Sequence, residues 1–213
     1  EAEKGFWLKF GINEQTLKRF NVSSLEEFST TSKIGNPYTT KSSFDKFIFA
    51  YENDNWVKLY KPLDEKKYKF QYLGTKEQGF IFGWKQLPDN GELLIITGGE
   101  KDVMTLAAKG FNVITLNSET ATLPKSIVDE LKLRFKTILV LYDNDETGLK
   151  QSNILAVAHG LHRLVLPTLQ NNGKDISDYF ANGETIEHFN DLLLTAIQTP
   201  APIELDVEKS VYN

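Results

Sequence analysis

The chain has 213 residues, 40% of them hydrophobic and 12% aromatic, which suits one or two packed domains rather than a disordered tail. It has no cysteine, which excludes disulfides and Cys-ligated zinc within the sequence. The net charge of −5 does not advertise a nucleic-acid binder, but it is uneven: residues 1–92 carry 14 Lys+Arg against 13 Asp+Glu, and the remainder 10 against 16.

The opening EAEKGFWLKF lacks the basic-then-apolar order of a secretory signal. It lacks a starting Met, as expected where a tag or upstream segment has been removed. No apolar run approaches the roughly 20 residues needed to cross a bilayer, so no membrane role and a cytoplasmic location are expected. NEQTLKRF (13–20) reads as a short helix with Asn13 as N-cap. NVSSLEEF then reads as a turn into a second helix, and STTSKIGNPYTTKSS, broken by Gly35 and Pro37, as a loop or linker. FIFAYENDNWVKLYKPL predicts a β-hairpin, KYKFQYLG a half-buried strand and GFIFGW another short strand. Residues 1–91 are therefore expected to be a small, mainly β region with a helical lead-in.

PDNGE marks the expected boundary, and residues 92–198 change period. ELLIIT, FNVITL, KTILVLYD and LHRLVLP read as strands, the first nearly continuous in apolar residues, as for burial on both faces. The segments KDVMTLAAKG, LPKSIVDELKLRF, DETGLKQSNILAVAHG and ETIEHFNDLLLTAI between and after them read as helices. Four strands alternating with helices predict an α/β fold with a parallel sheet. Residues 199–213 are expected to be a tail, poorly ordered or docked on the surface.

In such a sheet, ligands bind beyond the carboxyl ends of the strands. Four loops fall there: TGGEKD, LNSETAT, YDNDETG and LQNNGKDISD. Three are rich in carboxylates, and the second carries Glu119. Hard divalent cations take oxygen ligands, often one or two carboxylates with substrate phosphate. Asp143 and Asp145, at i and i+2 after a buried strand, can face one site while the chain is extended, with Asp175 and Asp178 approaching from the next loop. Asp145 is equally suited to cap the helix that follows. Gly98 and Gly99 allow a tight turn and a phosphate close to a helix N-terminus. No P-loop motif and no G-x-S-x-G occur. The lysine–aromatic run WVKLYKPLDEKKYKFQY suits either single-strand stacking or, more often, a half-buried sheet with a solvated face.

IITGGEKDVMTL, ILVLYDNDETG and GKDISDYF together resemble the Toprim domain of bacterial DNA primases and phage primase-helicases. In that family a strand ends in E-G-x-x-D, a later one in D-x-D-x-x-G, and a K-D-x-x-[DE] segment follows. Gly99 and Asp102 match the first motif. Asp143, Asp145 and Gly148 match the second, and Lys174, Asp175 and Asp178 the third. The resemblance implies a Toprim-like sheet of about four strands and Mg2+ (or Mn2+) held by Asp143, Asp145 and Asp175. Glu100 joins Asp143 and Asp145 as a catalytic group, with Gly98, Gly99, Lys101 and Lys174 at phosphate. Asp102, Glu119, Gly148 and Asp178 take supporting places. It further implies nucleotidyl transfer in replication or mobile-element transfer, with single-stranded DNA, nucleotides and a replicative helicase as partners. Gly98 departs from the family, because a glutamate belongs there. A catalytically impaired binding module and a Toprim-type metal-dependent nuclease are the competing expectations. The zinc ribbon of primases is also missing.

Overall fold

The computed structural model describes residues 2–32, 34–116, 118 and 120–203. Glu119 and most of the expected tail therefore lie outside the described residues. The chain divides into two compact units, Glu1–Phe80 and Ile81–Asn213.

The first unit opens with helices α1 (Ala2–Leu8) and α2 (Glu14–Arg19). Asn13 caps α2, its side chain accepting from the Thr16 amide at 2.9 Å. Strands β1 (Val22–Ser24), β4 (Phe49–Glu52), β5 (Trp56–Tyr60) and β6 (Phe70–Gly74) form an antiparallel sheet in that order. Strands β2 (Glu27–Thr31) and β3 (Pro37–Lys41) pair separately. Phe28, Ile48, Ala50 and Leu59 form one apolar cluster. A second is aromatic, with Phe49 packed against Phe6, Trp7 and Phe47.

Two expectations fail in this unit. The segment read as a turn into a helix is β1 and the start of β2, because pairing of Val22–Ser24 with Phe49–Tyr51 overrides the helix propensity of the glutamates. The polar stretch read as a linker is the β2–β3 hairpin. Its Thr and Tyr residues favour strands although almost none is buried, and Gly35 supplies the positive φ of its turn.

The second unit contains β7 (Gly91–Thr97), α3 (Glu100–Ala107), β8 (Asn112–Thr115), α4 (Lys125–Arg134), β9 (Phe135–Leu141) and α5 (Glu146–His159). It ends with β10 (His162–Arg163), α6 (Ile176–Ala181) and α7 (Ile186–Gln198). The four strands are parallel in the order β8-β7-β9-β10, with helices between them, as expected of a Toprim-like α/β unit. Leu94, Ile95 and Ile96 of β7 are fully buried, and so is Val140 of β9. Full burial of one such side chain contributes about 1.5–3 kcal/mol, which is why these runs sit at the sheet's centre.

GFIFGW does not form a strand. Phe82 makes one bridge to Thr115, and Trp84–Gln86 coils into a 3-10 turn. Gly83 has φ +91°, and a Cβ there would strike the Val113 carbonyl, so the chain must turn away at this point. Similarly, only two residues of LHRLVLP pair as a strand. No helix among the described residues is long and apolar enough to cross a membrane.

The strand order fixes where a ligand can sit. From β7 the chain crosses to β8 on one side, then returns to β9 on the other. The carboxyl ends of β7 and β9 therefore lie side by side, with Thr97 opposite Leu141 in register. Connections leave in opposite directions at this switch point and open a crevice above it.

Candidate metal centre

Three loops meet at that crevice. After β7, Gly99 is the N-cap of α3 in an extended conformation, without a side-chain cap. The helix then carries Asp102 on its inner face, 4% exposed among Val103, Leu106 and Thr105. A carboxylate buried that deeply needs partners. Its Oδ1 accepts from the Ser177 hydroxyl at 2.6 Å and the Ser177 amide at 3.3 Å. Thr105 and Ser177 share a further hydroxyl contact at 3.0 Å.

After β9, the backbone passes through buried Tyr142 to Asp143, Asn144 and Asp145. Asp145 is the N-cap of α5 and accepts from the Gly148 amide at 2.9 Å. Gly148 sits so close to Asp143 that a Cβ would fall on the Asp143 carbonyl. The spacing D-x-D-x-x-G is thus a tight strand-to-helix turn in which the second Asp caps and the Gly makes room.

The third loop precedes α6. Asp175 is its N-cap and accepts from the Asp178 amide at 2.8 Å. The Asn144 amide donates to the Lys174 carbonyl at 2.7 Å, which binds this loop to the middle of the D-x-D turn. The Asn144 side chain donates to the Leu166 carbonyl at 3.1 Å.

One oxygen each of Asp102, Asp143 and Asp175 lies within 4.8 Å of the other two. An octahedral Mg2+ shell at about 2.1 Å places neighbouring oxygens about 3 Å apart and opposite ones about 4.2 Å apart. Three converging, partly desolvated carboxylates therefore fit a hard divalent cation in spacing and in donor chemistry. The trio differs from the set the resemblance implies: Asp102 stands in it, and Asp145 stands beside it as a cap.

Two lysines sit among these carboxylates. Lys101 Nζ lies 3.0 Å from Asp175 and 3.7 Å from Asp178. Lys174 Nζ lies 2.6 Å from Asp143 and 2.8 Å from Asp145. Burial alone would lower the Lys101 pKa, but the charges of Asp102, Asp175 and Asp178 outweigh it and raise it. Lys174 follows the same balance, lifted by Asp143 and Asp145. Desolvation, then the negative field of Asp175, pushes Asp102 well above the usual carboxylate range. Desolvation also raises Asp143, against the pull of Lys174. Asp145 moves the other way, lowered first by the Gly148 amide and then by Lys174. Opposed shifts in neighbouring carboxylates are a common mark of functional sites.

The remaining candidates are placed as follows. Gly98 and Gly99 form the partly buried turn between β7 and α3, and Asp102 Oδ2 faces Gly99. Glu100 lies in the first turn of α3, partly buried and outside the converging trio. Asp178 accepts from the Lys174 amide at 3.1 Å and so shapes the third loop. Sequence reasoning did not single out Ser177 or Asn144. Ser177, two residues after Asp175, offers no signal of its own, whereas Asn144 is flanked by both aspartates of the motif.

The lysine–aromatic strands of the first unit form a half-buried sheet on which Phe70 and Tyr72 stay exposed. Lys58, 7% exposed, holds its ammonium 4.3 Å from the Phe70 ring, and Tyr60 stacks on Phe70 at 5.2 Å. Lys76 lies 4.5 Å from the Tyr72 ring. These rings already have partners within the unit.

The fold is that of primase catalytic cores. The DnaG primase catalytic domain bound to ssDNA superposes with TM-score 0.65 and 16% identity, over 92% of this chain and 74% of that one. The E. coli primase catalytic core matches at TM-score 0.64 and 15% identity, over 92% and 73%. The primase fragment of the bacteriophage T7 primase-helicase protein matches at 0.53 and 18%, over 89% and 72%. No protein-family model matches the sequence, and no curated protein does. At such identities the likeness carries the fold alone.

Proposed function

We propose that this chain is a Toprim-domain, DNA primase-like protein that carries out metal-dependent nucleotidyl transfer on a single-stranded DNA template, in replication or mobile-element transfer. The observation that carries the reading is the convergence of Asp102, Asp143 and Asp175 at the sheet's switch point. Those three would hold Mg2+ or Mn2+, which when bound supplies charge stabilisation at the phosphoryl group and orientation of phosphate.

The chain's own residues do the rest. Lys101 pins Asp175 and Asp178 and keeps their oxygens turned to the crevice. Lys174 brings a positive charge to the rim, where nucleotide phosphate would enter. Asp145 fixes the D-x-D turn by capping α5, which sets the backbone from which Asp143 reaches the crevice. Glu100 is the carboxylate nearest in sequence to Gly98, the place where the family carries an acid. A DNA-bound primase among the structural matches supports the template class, and a replicative helicase remains the partner this reading implies.

Template-directed primer synthesis with Mg2+ or Mn2+ tests the proposal. Loss of a metal ligand should cost more than the 10–100-fold typical of groups that merely support ligands. Asp143→Ala/Asp145→Ala is therefore expected to fall by about 100-fold or more, and activity equal to the parent's refutes the reading. Gly98 favours one alternative, a module that binds nucleotide or single strands without turning them over. That alternative gives salt-sensitive binding and no product in the same assay.

A further inference from the structure

Lys174 is not a surface lysine that happens to lie near an acid. Its carbonyl is bonded to the Asn144 amide, the residue between Asp143 and Asp145. Its own amide donates to Asp178. Gly173 before it packs so tightly that a Cβ would lie 3.0 Å from the Asp178 Cβ. The backbone thus delivers the Lys174 ammonium to Asp143 Oδ2 and Asp145 Oδ2 at once. Asp143 is also one of the three carboxylates that converge for a cation.

The two lysines of the site differ in how firmly they are held. The Lys101 side chain is 19% exposed and paired with Asp175 and Asp178, whereas that of Lys174 is 50% exposed. Asp143 itself is only 16% exposed, so the pair is solvated at its lysine end alone, and a divalent cation competes with that ammonium for the same oxygen. An exposed ammonium can move to solvent or to an anion, while the less exposed one stays between two carboxylates.

We propose that Lys174 is a built-in exchangeable counter-ion: it holds Asp143 and Asp145 together in the metal-free protein and must release Asp143 when a divalent cation binds. The released ammonium then stands at the rim, available to a phosphate. Cation binding and phosphate binding are thereby linked through one side chain. The inference rests on the metal-centre reading above.

The test is Mn2+ binding to the full chain, followed by electron paramagnetic resonance. A competitor that occupies a ligand nine-tenths of the time weakens apparent affinity about tenfold. Lys174→Met is therefore expected to bind Mn2+ about tenfold more tightly than the parent. Lys174→Arg, which keeps the charge, should return affinity to within about twofold of the parent. Lys150→Met, which removes one exposed charge from α5, controls for net charge and should change affinity less than about twofold. Equal or weaker binding by Lys174→Met overturns the proposal while leaving the metal centre standing. An equal gain in Lys150→Met overturns it in favour of bulk charge. Absence of Mn2+ binding in every variant overturns both this proposal and the metal-centre reading.

Discussion

In the antiparallel sheet of the first unit, Lys58 lays its ammonium 4.3 Å from the Phe70 ring and is itself nearly buried. At the carboxyl rim of the parallel sheet, Lys174 sets its ammonium 2.6 Å from Asp143 and stays half exposed. Both lysines rest against electron-rich partners, but the partners differ in what else they can hold. A ring face offers a quadrupole and no ligand atom, so the first pairing has only a structural outcome. A carboxylate that converges with two others can exchange an ammonium for a metal ion. Chemistry therefore follows from the partner and its neighbours, and a count of lysines in either region would not have revealed it.

The largest expected effect that sharpens this contrast comes from Asp102→Asn. The change keeps an acceptor for Ser177 and removes a buried charge. Mn2+ affinity should fall at least about tenfold, because a ligand contributes at least as much as the groups supporting it. The metal-free protein should nevertheless melt higher at neutral pH. The sign follows from the raised folded pKa of Asp102. Below the ordinary Asp value of 3.8 the acid is protonated in both folded and unfolded states and the parent loses nothing. As pH rises from there toward the folded pKa, the unfolded state ionises first and the parent loses stability. Melting curves across that window should show the variant pulling ahead by at least about 2 °C, the shift given by ~1 kcal/mol in a chain of this size. A variant that melts lower at neutral pH breaks the account of Asp102 as a buried acid whose charged form costs stability.

The smallest effect is expected from Lys58→Met. Loss of a partly desolvated cation–π contact costs about 0.5–2 kcal/mol. Denaturant unfolding should detect it, while Mn2+ affinity stays within about twofold of the parent, since no exchangeable ligand is touched. A large change in Mn2+ affinity would erase the distinction between the two lysines.

Much of the second unit was legible in sequence because its signals are local. A continuous apolar run closed by Gly98 marks β7, another running into Asp143 marks β9, Gly110 and Gly160 close helical periods, and D-x-D-x-x-G encodes its own turn through the Asp145 cap and the room at Gly148. The β2–β3 hairpin was missed because its strands bury almost nothing and carry no alternation to read. Glycines around Phe82 hid a turn inside a strand-like composition. Within the site, Asp102 owes its setting most to distant parts of the chain. Its position in α3, one residue before a buried apolar run, places it on the inner face, but its partner Ser177 lies 75 residues away. Only the strand order brings the two together.

The most direct test of the central claim is a crystal structure of the chain soaked in Mn2+, read from the metal's anomalous signal. The account predicts one strong peak at the switch point, with oxygens of Asp102, Asp143 and Asp175 about 2.1 Å away, near the ideal for a small octahedral cation. It also predicts Lys174 withdrawn from Asp143. A peak bound elsewhere, or three carboxylates still joined only to their lysines at saturating Mn2+, would contradict it.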